Sequence, residues 1–184
     1  MHMNRLLAVV AVAVMAAACG SASGGGWIPS AVDPTKKATF GFAYTCDAST
    51  NHLQGHLEYH DHGVGLRAVV AIDQAVPSSV GCTTPEAGVT AACGIVQSGS
   101  GGVSPNDVAL VATGDAQSTE TETEDALAIV LFTGGSASVC TTGIQNCASQ
   151  PTVDEFLDCL NSFELGEPYY LNTGTLGAGN IVMR

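Results

Sequence analysis

The chain has 184 residues, with 17 acidic side chains against 5 basic ones and a formal net charge of −12. That balance makes nucleic acid and anionic lipid surfaces poor partners, because replacing the counterions around phosphates takes clustered Lys and Arg. Only 12% of the residues are charged and 22 are glycine, a composition closer to an exported β-rich domain than to a helical cytosolic one.

Arg5, the apolar run Leu6 to Ala18 and the small residues before Cys19 read as an export signal, since the run is too short to span a bilayer and ends at a small-residue cleavage site. Cys19, directly after Ala16-Ala17-Ala18, resembles the cysteine of a bacterial lipobox, although Ala16 stands where a leucine is commoner. This implies cleavage after residue 18, acylation of Cys19 with palmitate among its chains, and an extracytoplasmic lipoprotein anchored to a bacterial membrane through lipid alone. The expected organisation is a signal peptide over 1–18, a lipidated cysteine with a flexible Ser/Gly tether over 19–26, and a single domain over 27–184.

Ala38 to Cys46 is aromatic and β-branched, interrupted by Gly41. Gly55 to His60 puts Leu57 and Tyr59 on one face and His56, Glu58 and His60 on the other, and Val64 to Ile72 alternates in the same way. Period two predicts strands, with a hairpin turn at Asp61-His62-Gly63. Further strands are expected at Gly94 to Gln97, Val108 to Thr113, Ala126 to Thr133, Ala137 to Cys140, Tyr169 to Leu171 and Ile181 to Met183, separated by Gly-rich loops. Pro151 to Leu160 has apolar residues at helical spacing, Thr152 as N-cap and Glu155 as its capping-box partner, which predicts one short helix near 152–161. With no helix–strand alternation elsewhere, the expected fold class is mainly β, an antiparallel β-sandwich or small barrel.

Seven cysteines become an even set once Cys19 is assigned to lipid, leaving Cys46, Cys82, Cys93, Cys140, Cys147 and Cys159. In an exported chain such a set predicts disulfides whose connectivity the sequence leaves open. The preferred pairing closes the two short loops, Cys82 with Cys93 and Cys140 with Cys147, and leaves Cys46 for Cys159. No Cys-x-x-Cys occurs, which argues against thiolate zinc.

The blocks Gly24-Gly25-Gly26-Trp27-Ile28-Pro29, Ala38-Thr39-Phe40-Gly41-Phe42, Gly55 to His62, Asp125 to Leu131 and Leu176 to Ile181 resemble, in their order, those of the post-COAP domain, a module of exported bacterial proteins. The resemblance covers nearly the whole chain after the signal and implies a β-rich extracytoplasmic domain. It implies no activity and no catalytic residues. The six cysteines and the insertion between Cys140 and Leu165 depart from that pattern.

Four of the five histidines, His52, His56, His60 and His62, fall within eleven residues. On a strand, His56, Glu58, His60 and His62 would share one side, a candidate zinc or copper site, or else simply the solvated face of an amphipathic strand. No histidine follows His62, so the later ligands of a copper–zinc dismutase are missing. Asp115, Glu120, Glu122, Glu124 and Asp125 cluster as a candidate calcium loop, or as charges that discourage strand-edge association. No serine sits in Gly-x-Ser-x-Gly, and no glycine run leads into Lys-Ser or Lys-Thr, so neither a nucleophile elbow nor a phosphate loop is expected.

The expected function is therefore a non-catalytic cell-envelope lipoprotein with a binding or structural role, requiring no cofactor and facing an envelope protein or glycan. The alternative is an exported zinc- or copper-binding protein using the His52–His62 cluster, and a third reading is a calcium-stabilised adhesion module.

Overall fold

The computed structural model describes residues 21–47, 49–75, 89–114, 125–147, 162 and 168–183. The expected signal, Cys19, Cys82, Cys159, the helix near 152–161 and the run Glu120 to Glu124 lie outside them. In chain order the described elements are β1 (Ala22–Pro29), β2 (Lys37–Asp47), β3 (His52–Asp61), β4 (Leu66–Ala75), β5 (Val89–Ser100), β6 (Val108–Gly114), β7 (Ala126–Phe132), α1 (Ala137–Cys147), β8 (Pro168–Thr175) and β9 (Ala178–Met183). The strands form one antiparallel sheet in the order β8-β7-β6-β5-β4-β3-β2-β1-β9, curled into a half-barrel. The fold is thus mainly β, as the period-two segments predict.

The concave face is the core. Alternate residues of β2, β3 and β4 point inward and are buried: Phe40, Phe42 and Tyr44; Leu53, Leu57 and Tyr59; Leu66, Ala68, Val70 and Ile72. They meet Ile28 of β1, Ile181 of β9, and Leu127, Ile129 and Leu131 of β7. Stacked rings run along β2, with Phe42 centred 6.2 Å from Phe40 and 5.7 Å from Tyr44. These aromatic and branched side chains suit a pleated, half-buried surface.

The segment expected to be a flexible tether is instead largely strand. Ala22 to Gly26 belongs to β1, paired with β2 on one side and β9 on the other. Glycine makes this possible by close approach: a Cβ on Gly24 would lie 2.7 Å from the carbonyl oxygen of Asn180, and one on Gly26 would lie 2.3 Å from that of Ala178. The Ser/Gly composition that suggests a linker thus serves backbone packing. Chain continuity then brings the sheet's two edge strands together at a corner. Leu176 N–H donates to Asp125 O, Ile181 N–H donates to Asp125 Oδ2 at 2.7 Å, and Gly177 N–H donates to Trp27 O.

The second half of the sheet differs. A register shift between Val69 and Val70, opposite Ser98 and Val96, marks a β-bulge at the β4–β5 junction. Beyond it, β6 and β7 are buried along their whole length, and α1 packs against β4, β5 and β6. Ala137 to Cys140, expected as a strand, is the first turn of α1. Gly134 and Gly135, with φ of 71° and 112°, stop the extended chain. Ser136 then opens the helix by accepting the Cys140 N–H, and Thr141 and Thr142 hydroxyls bond back to the carbonyls of Ala137 and Ser138. β-Branched Val and Thr fit either state, so packing decides it.

Cys140 on α1 is joined to Cys93 on β5, with Cα atoms 6.0 Å apart and both residues buried. This corrects the expected pairs Cys82–Cys93 and Cys140–Cys147. The short-loop argument counts residues, whereas the fold brings together residues 47 apart because α1 covers the sheet face that carries Cys93. Cys46 is also disulfide-bonded.

Candidate functional site

The strand register gives β1–β4 an outward face, against which α1 packs only at the β4 side. Its rows, read across β1, β2, β3 and β4, are Trp27–Thr39–His60–Arg67, then Gly25–Gly41–Glu58–Val69, then Ser23–Ala43–His56–Ala71. In the middle row two strands contribute no side chain. The result is a trough running across the strands, floored at Gly41 and walled by Thr39 and His60 on one side and His56 on the other. Glu58 rises in its middle row and Arg67 stands at its end. It encloses about 440 Å³.

The charged walls are only loosely tied. Arg67 Nη2 lies 4.0 Å from Glu58 Oε2, with the two side chains 56% and 65% exposed, so the pair is too solvated to lock either group. His60 and His62 touch, their ring centroids 3.8 Å apart, and His62 Nε2 lies 3.3 Å from Thr39 Oγ1. Burial lowers the His60 pKa, as do nearby His62 and Arg67, while Asp61 opposes them. At neutral pH the imidazole is therefore held uncharged. His52 lies apart from the trough and faces Asp73 at 3.2 Å.

The strand reading of the four histidines is thus right about the face but not about convergence. Alternate strand positions are separated by about 7 Å and point in parallel, so His56, Glu58 and His60 line a surface instead of surrounding a point. Among the described residues no group of three or more His, Cys, Asp or Glu side chains is arranged to hold a metal ion.

Directly behind this face lies a buried polar chain that the sequence reading passed over. Asp61, wholly buried, accepts from the Tyr170 hydroxyl at 2.6 Å through Oδ2 and from Gly63 N–H at 2.8 Å through Oδ1. With its single proton committed there, the Tyr170 oxygen accepts from Tyr59 at 2.6 Å, and Tyr59 in turn accepts from Asn172 Nδ2 at 2.7 Å. Asn172 also donates to Pro29 O. Burial pushes the Asp61 carboxyl up, but hydrogen bonds from Ser30, Tyr170, Gly63 and Ala31 outweigh it and hold the carboxyl below its ordinary 3.8. Burial pushes the Tyr59 hydroxyl up to about 12, so it stays a neutral donor. The chain ties β3 and the β1 terminus to β8 across the open side of the half-barrel. A signal for it was available: Asp61 is in the inward register of Leu57 and Tyr59, where a carboxylate must find donors.

Comparison of the chain with protein-family models, with curated proteins and with solved structures finds no match.

Proposed function

We propose that this chain is a non-catalytic cell-envelope lipoprotein whose outward β1–β4 face binds an envelope component. The observation that carries the reading is the trough at Gly41. Its polar side chains stand in parallel rows, an arrangement that contacts an extended ligand along its length and does not focus several groups on one reacting atom. Residence outside the cytoplasm is supported by the leader-like first 18 residues and by the Cys93–Cys140 bridge, which persists in an oxidising compartment. The resemblance to the post-COAP module agrees with that address.

The test is cosedimentation of the purified, oxidised chain with isolated bacterial envelopes. Saturable binding that Gly41→Val removes supports the reading, and binding indifferent to that substitution overturns it. Labelling of growing cells with a palmitate analogue tests the anchor: incorporation lost in Cys19→Ser supports it, and an unlabelled mature protein lacking Cys19 refutes it.

The contact between His60 and His62 favours a second function, capture of zinc or copper by two imidazoles. Elemental analysis of the purified chain decides it: one equivalent of metal lost in His60→Ala and His62→Ala supports capture, and metal-free protein rejects it.

A further inference from the structure

Gly41 lies in the middle of β2, where glycine weakens a strand and supplies nothing to pack. Steric need explains other strand glycines: in β1, β3, β5, β8 and β9, a Cβ on Gly24, Gly25, Gly26, Gly55, Gly94, Gly99, Gly174 or Gly179 would meet another atom at 3.3 Å or less. At Gly41 a Cβ would meet nothing within 4 Å, and the backbone is in a conformation open to any residue. The missing side chain is therefore not required by the fold. What it does is leave the trough floor open.

The walls say what could fill that space. In a chain of net charge −12, the described Lys and Arg residues, Lys36, Lys37 and Arg67, all sit at the starts of β2 and β4, and His56, His60 and His62 lie on the same face or its turn. Around the trough this gives a guanidinium, imidazole N–H groups and the Thr39 hydroxyl as donors, with Glu58 as the acceptor. A cation held only loosely by a solvated carboxylate is free to take a ligand carboxylate in a forked pair. The remaining mixture of donors and one acceptor, on a floor with no side chain, matches the hydroxyl-studded edge of a sugar ring.

Resting on the binding reading above, we infer that the Gly41 trough binds a uronic acid unit of an acidic glycan, with Arg67 on the sugar carboxylate and His56, Glu58 and His60 on its hydroxyls. Charge steering acts over the Debye length of about 8 Å at physiological salt. Arg67 at the end of the trough therefore offers a local cation within that range even though the protein as a whole is acidic.

Isothermal titration of the purified, oxidised chain with an oligogalacturonate, with a neutral galacto-oligosaccharide of matching length and with inorganic phosphate tests this. The expected result is saturable binding of the uronate, at least about tenfold tighter than the neutral sugar, weakened about tenfold in Arg67→Gln through loss of a charge-assisted pair. Gly41→Val should abolish binding with the melting temperature unchanged or raised, because the added side chain fits the fold but fills the trough. Equal affinity for the neutral sugar, full competition by phosphate, or uronate binding that survives Gly41→Val overturns the inference. Envelope binding sensitive to Gly41→Val without uronate binding rejects the ligand class alone, whereas loss of envelope binding itself rejects the underlying reading.

Discussion

The outward face of the sheet has two halves that solve opposite problems. Over β1–β4 a buried aromatic and branched core lies inside, and the outer face mixes polar side chains at Thr39, His56, Glu58, His60 and Arg67 with glycine and apolar ones, α1 packing against it at β4. Over β6 and β7 both faces are buried, β5 is buried at Ala92 to Gly94 and at Val96 but exposed from Gln97 to Ser100, and α1, stapled through Cys93–Cys140, covers part of the outer face. The β4–β5 bulge marks the boundary. One sheet thus has a largely buried second half and a first half that carries an open polar trough. Stability and binding can be perturbed separately.

The largest expected effect is on the covered half. Replacing Cys93 and Cys140 together by Ala opens a loop of 47 residues, and the chain-entropy estimate for such a loop is about 4 kcal/mol of lost stability. Urea unfolding should record that loss, while the Gly41 trough, on the other half, should keep its affinity in the fraction that stays folded. Equal damage to both would break the division.

Asp61→Asn comes next. It removes the charged acceptor at the head of the buried chain to Tyr170, Tyr59 and Asn172 and places an NH₂ among donors, at a cost of about 2 kcal/mol. The folded carboxyl titrates below its ordinary 3.8. Its contribution is therefore complete above that pH and is lost as pH falls through the lower folded value. The gap in urea midpoint between wild type and Asp61→Asn should narrow on going from pH 5 to pH 2, and a constant gap would show that the charge is not what stabilises.

The finest test applies one substitution to both faces. Val108→Thr places a hydroxyl at a fully buried outward position of β6, costing about 1 to 2 kcal/mol if no acceptor is near. Val69→Thr, on the open half opposite Glu58, should stay within about 0.5 kcal/mol. Similar values for the two would mean that the open face is covered in solution.

Most of the strands were legible because their signal is local. Leu57, Tyr59 and the alternating Val64 to Ile72 declare a half-buried strand without reference to any neighbour. The tether, the Ala137 to Cys140 segment and the disulfide partner were not legible, since each depends on what the chain meets in space. Ser-Gly-Gly-Gly is a linker unless another backbone lies 2 to 3 Å from where its side chains would be. Val139 and Thr141 suit a strand until two glycines turn the chain and a cysteine on β5 waits beneath. The candidate site was half legible: the histidine face followed from period two, but the trough needs the cross-strand register of Gly25 with Gly41, and pairing partners are not encoded in spacing along one strand.

The entry of β1 into the sheet at Ala22 sets a geometric limit on the proposed anchor. Only Gly20 and Ser21 separate Cys19 from a hydrogen-bonded strand, and six extended residues from Cys19 to Gly25 reach about 20 Å at most. A fatty acid on that cysteine would mount the domain like a bracket on the bilayer instead of letting it swing on a leash. The pocket row would then survey only the thin layer next to the headgroups, and polymer strands farther out would pass beyond its grasp.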